Sequence, residues 1–119
     1  MLKRLKQRFA DQRRQKALSD LERGIAAFAA KREFVVVARD DTLASMRNRL
    51  QEARAVHAAA IASGRGSDTA GGLAELESTT AELIAGAEAR SAQILEQIDR
   101  EIEAMRVMRD AALRFETTR

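Results

Sequence analysis

Cysteine, proline, tryptophan and tyrosine are all missing from the 119 residues. Without cysteine there are no disulfides and no thiolate metal ligands, and the redox compartment leaves no trace in the chain. Average usage of about 5% would supply roughly six prolines; with none, nothing interrupts a helix by removing its backbone donors. Aromatic residues make up 3% of the chain and all are phenylalanine. Much of the 45% apolar content is alanine, so the chain can zip helices together but cannot build a thick globular core. A single histidine, His57, excludes a histidine cluster for zinc or iron. No run approaches the eighteen or more apolar residues of a membrane-spanning helix. The basic start lacks the apolar stretch of a secretory signal behind it, and Leu2 does not fit N-myristoylation. These absences lead us to expect a single cytoplasmic domain.

What is abundant is charge, at 33%, together with Ala, Leu, Glu and Arg. That composition points to long helices. The one strong punctuation is Gly64-Arg65-Gly66-Ser67-Asp68-Thr69-Ala70-Gly71-Gly72, which holds four of the six glycines. Each glycine costs a helix about 1 kcal/mol relative to alanine, so residues 64–72 are expected to form a loop. Gly64 is placed to end one helix, and Asp68, Thr69 or Gly72 to cap the next. Residues 17–63 and 73–119 then form two matching arms, each about 70 Å long if helical. The predicted fold is all-α, a long antiparallel helical hairpin with residues 1–16 as an N-terminal extension.

Both arms carry apolar residues at steps of three and four, the period of helices packed side by side. In the first arm these are Leu18, Leu21, Ile25 and Phe28, then Leu43, Met46, Leu50, Ala53, His57 and Ala60. In the second they are Leu73, Leu76, Thr80, Leu83 and Ala87, then Ile94, Ile98, Met105, Met108, Ala112 and Phe115, with Ile102 on the flank. Between the two stretches of the first arm lies Phe34-Val35-Val36-Val37, followed by Asp40-Asp41-Thr42. Four bulky residues in a row cannot all face one partner helix. A buried strand would need a second strand, and none is evident. A break with a fresh cap at Asp40–Thr42 would give three helices. A continuous helix, apolar on several sides and covered by further copies, is the reading adopted here. Phe34, Val35, Val36 and Val37 are therefore the candidate oligomerisation residues.

The search for chemistry finds no catalytic constellation. Asp99, Glu101 and Glu103 do not converge on one helical face, and the glycine loop lacks the Gly-Lys-Ser/Thr ending of a phosphate-binding loop. His57 sits at a seam position and reads as a packing residue. No enzyme, metal, cofactor or small-molecule substrate is expected.

The remaining feature is charge bias. Residues 1–16 contain Lys3, Arg4, Lys6, Arg8, Arg13, Arg14 and Lys16 against Asp11 alone, which is +6 where the whole chain is +3. Residues 73–119 carry six basic and ten acidic groups, or −4. If helical, the first segment puts Leu2, Leu5 and Phe9 on one face, about 150° from the Leu18–Phe28 stripe. Its apolar face therefore needs a surface of its own. An anionic membrane suits it best, with apolar side chains inserted and cations over headgroups. Nucleic-acid phosphates or a partner protein are the alternatives. In architecture, though not in motif, this order of segments resembles membrane-remodelling proteins of the phage-shock and ESCRT type. A bare basic hairpin also resembles the small stalk components of type III export machines. Either resemblance implies a role at a membrane or in an assembly.

The expected protein is a homo-oligomeric, non-enzymatic scaffold, cytoplasmic and peripheral at a membrane. A two-helix core this thin rarely offsets the ordering entropy of more than ninety residues. Sedimentation at micromolar concentration should therefore show a dimer or larger species. A stable folded monomer would contradict it.

Overall fold

The computed structural model describes residues 2–117, and it is helical apart from one short turn. Helix α1 spans Leu2–Ala62 and helix α2 spans Gly66–Thr117. Their segments group into two units, residues 35–94 and residues 1–34 with 95–119.

The 35–94 unit is a helical hairpin. Its turn closes α1 with paired bonds: the Arg65 N–H donates to the Ala60 carbonyl at 2.7 Å, and the Gly64 N–H donates to that of Ile61 at 3.0 Å. That pairing needs one left-handed residue, and Gly64 supplies it with φ at 77°. The chain then re-enters a helix at once. The expected loop over 64–72 is thus shortened to residues 63–65, and Gly71 and Gly72 lie inside α2. Composition overstated the break because glycine's cost of about 1 kcal/mol is small beside a packed helical turn. Gly66 also has a steric role: a Cβ there would lie 2.9 Å from Ile61 Cγ1, so its absence lets α2 start close to the end of α1. Asp68 acts in the first turn of α2, where its carboxylate favours the positive end of the helix dipole.

No break occurs at Asp40–Thr42. The Thr42 hydroxyl donates to the Ala38 carbonyl one turn back at 2.9 Å, and Asp40 pairs with Arg39 at 3.2 Å. Both polar groups find partners within the helix, and α1 continues. Leu43 is buried in this unit, with Met46, Leu50, Ala53, His57 and Ala60 half-buried along the same face. Thr80 is the buried residue of α2 opposite them.

In the other unit the two segments also run antiparallel. Arg32 Nε donates to Asp99 at 2.8 Å, and Gly24 lies against Met105, where a Cβ would come 2.8 Å from the sulfur. Leu95, Ile98 and Ile102 are buried here, and Leu18, Leu21, Ile25 and Phe28 are half-buried.

The second-arm stripe divides. Leu73, Thr80, Ala87, Ile98, Met105 and Ala112 face the seam, while Leu76, Leu83, Ile94, Met108 and Phe115 are exposed. Ile102, read as a flanking residue, is among the most buried. A stripe at steps of three and four is two columns wide, and one partner helix covers one column fully.

Two glycine substitutions should move stability in opposite directions. Gly64→Ala forces a side chain into the left-handed region and should cost about 1–2 kcal/mol. Gly71 is helical with nothing within 4 Å of a new Cβ, so Gly71→Ala should stabilise by about 0.5–1 kcal/mol. Denaturant unfolding followed by circular dichroism checks both. Equal signs would contradict the turn assigned here.

Candidate anionic-surface interface

α1 continues through the basic segment to its start, so Leu2, Leu5 and Phe9 fall on one face at helical spacing. Every residue from 2 to 13 is exposed. Leu2 keeps 76% of its surface, Leu5 51% and Phe9 60%. The first half-buried position is Arg14, followed by Leu18. By helical phase, the stripe lies about 160° from the face on which Leu18, Leu21 and Ile25 pack. Three large apolar side chains therefore stand in water, and their own unit does not cover them.

The cations around them are mostly unneutralised. Arg14 approaches Asp11 at 3.9 Å, a long pair one turn apart that contributes little at an exposed site. Among the described residues, Lys3, Arg4, Lys6, Arg8, Arg13 and Lys16 have no ion-pair partner. Lys6 and Arg13 flank the apolar stripe on one side and Arg8 on the other, with Lys16 in line with it one turn beyond Arg13. Long stems at these positions can extend alongside and past the stripe.

The other candidates fare differently. Val35 and Val36 are half-buried, whereas Phe34 and Val37 point outward, Phe34 at 73% exposure. His57 Nδ1 lies 2.7 Å from Thr69 Oγ1, bridging α1 and α2 beside the turn. Thr69 Oγ1 is also 3.4 Å from the Gly66 carbonyl. Both contacts are satisfied if the ring N–H donates to Thr69 and the Thr69 hydroxyl donates onward. His57 thus ties the hairpin end together. Asp99, read as part of an acidic surface, is the partner of Arg32. Among the described residues no group of three His, Cys, Asp or Glu side chains could hold a metal ion. Among the described residues no helix is long and apolar enough to cross a membrane.

No family model, curated protein or solved structure matches this chain.

Sequence reasoning missed the interhelical ion pairs Arg32–Asp99, Arg47–Glu88 and Arg54–Glu77. Pairing them requires the register across the helices, which the turn sets. A loop taken as nine residues long hides that register.

Proposed function

We propose that this protein is a non-enzymatic, self-associating helical scaffold that engages an anionic membrane surface through residues 2–16. The carrying observation is the union of exposed Leu2, Leu5 and Phe9 on one helical face with six cations in the same segment that have no ion-pair partner among the described residues.

The magnitudes favour a joint mechanism. Each cation near an anionic leaflet contributes about 1 kcal/mol, so six contribute roughly 6. Three partly inserted Leu and Phe side chains contribute a similar amount, at about 1.5–3 kcal/mol each for full burial. Loss of translational and rotational freedom takes back at least ~4 kcal/mol. Either term alone then leaves millimolar binding or weaker, while the two together reach about 8 kcal/mol, near a micromolar Kd. Nucleic-acid phosphates would use the cations and leave the apolar face in water. Self-association belongs to the same reading, because it covers apolar surface that a helix pair leaves open and presents several basic segments to one surface. The protein would then sit at the cytoplasmic face as a peripheral component.

Flotation with vesicles containing phosphatidylserine tests the reading. The full chain should float, and either Leu5→Glu or joint replacement of Lys3, Arg4, Lys6 and Arg8 by glutamine should reduce flotation at least tenfold. If Leu5→Glu is tolerated while charge removal abolishes binding, phosphate contacts of the nucleic-acid kind replace insertion. If neither change matters, residues 2–16 are not the interface.

A further inference from the structure

The two flanks of the 35–94 hairpin differ in chemistry. On one, Arg47 meets Glu88 at 4.0 Å and Arg54 meets Glu77 at 3.3 Å, so opposite charges cross from helix to helix and neutralise each other. On the other, near the turn, a shallow groove between the helices is lined by Ala53, Val56, Gly72, Leu73 and Leu76, with Asp68 and Thr69 at its turn end. Val56 stands about 160° around α1 from Arg54. Leu76 and Glu77 stand on either side of the column through which α2 faces α1, marked by Leu73, Thr80 and Ala87. The apolar column continues along α2 to Leu83, two turns beyond Leu76. Val56 retains 62% of its surface and Leu83 51%.

We propose that this apolar flank receives a second copy of the chain, joining two hairpins into a four-helix bundle. The proposal rests on the self-association in the reading above and gives it a surface. Three observations favour a copy of the same chain as occupant. The first is size. Residues 35–62 of α1 span about 42 Å, and two packed helices are about 20 Å across. One flank therefore offers roughly 800 Å² per partner, as a stable interface requires, apolar toward the turn and polar along Thr42, Ser45 and Arg49 of α1. The second is self-complementary relief: Ala53 and Gly72 leave a low floor, while Val56, Leu76 and Leu83 stand above it. A two-fold interface needs knobs and holes on one and the same patch. The third is charge. By helical phase Arg49 shares the column of Val56 and Arg90 that of Leu83, with Glu52 and Glu82 farther round, and none of the four has an ion-pair partner among the described residues. A surround of one sign would repel its own copy. One carrying both signs can pair across a two-fold axis.

The absence of cysteine allows a clean test with the full-length chain. Leu76→Cys and Leu83→Cys each carry a single thiol on the apolar flank, and Gln51→Cys carries one on the ion-paired flank. With a short bis-maleimide at micromolar protein, the two flank variants should give covalent dimer at least fivefold faster than Gln51→Cys. In sedimentation of the untagged chain, Leu83→Glu should raise the dimer Kd at least tenfold. Should Leu83→Glu also lose helix content, the cross-linking comparison still decides. Equal cross-linking from Gln51→Cys, or a dimer indifferent to Leu83→Glu, overturns this flank and leaves self-association standing. A parent chain that sediments as a folded monomer overturns self-association and the flank with it.

Discussion

The constraint on which the structure depends is that each helical segment has one partner segment, and a seam between two helices is narrow. Leu43 in one unit and Leu95, Ile98 and Ile102 in the other are the apolar side chains this packing buries. Alanine and glycine beside them let the helices approach closely, as at Gly24 against Met105, but contribute little area of their own. Burial at about 25 cal/mol per Å² must offset the ordering of more than a hundred residues. A seam this thin leaves the sequence's other apolar positions uncommitted, and those positions direct attention to partners.

Two groups stand out among the uncommitted positions, which also include Phe34, Val37, Ile61, Ile94, Val107 and Met108. Leu2, Leu5 and Phe9 share one face of α1 and stand among unpaired cations. Val56, Leu76 and Leu83 border one flank of the 35–94 hairpin, away from the Arg47–Glu88 and Arg54–Glu77 pairs. The two patches differ in electrostatic setting, and this separates their proposed partners. A patch surrounded by cations of one sign suits an anionic surface and disfavours a like copy. A patch bordered by both signs suits a like copy.

Much of the fold was legible in the sequence because it depends on local rules. Absent proline and the three-four apolar steps gave two long helices, and Gly64 marked the turn between them. The Phe34–Val37 run did not become a strand, since no second strand existed to pair with it. The extent of the turn was misjudged: Gly71 and Gly72 look like breakers in composition, but their backbone sits in α2 without strain. The side of the α2 stripe that faces α1 was also hidden. Ile102 and Leu83 have similar hydropathy, yet Ile102 is buried in its unit and Leu83 is exposed in the other. The outward aim of Leu2, Leu5 and Phe9 followed from helical phase alone, because α1 is unbroken from Leu2 through the seam.

The central claim is that the N-terminal apolar face enters a membrane, and the absence of native tryptophan makes it directly observable. A Phe9→Trp chain would carry one indole at the middle of the segment. On addition of phosphatidylserine vesicles its emission should shift to the blue and be quenched by brominated acyl chains, with no such change on addition of duplex DNA. Emission that stays at its aqueous position while the protein binds the vesicles would contradict insertion.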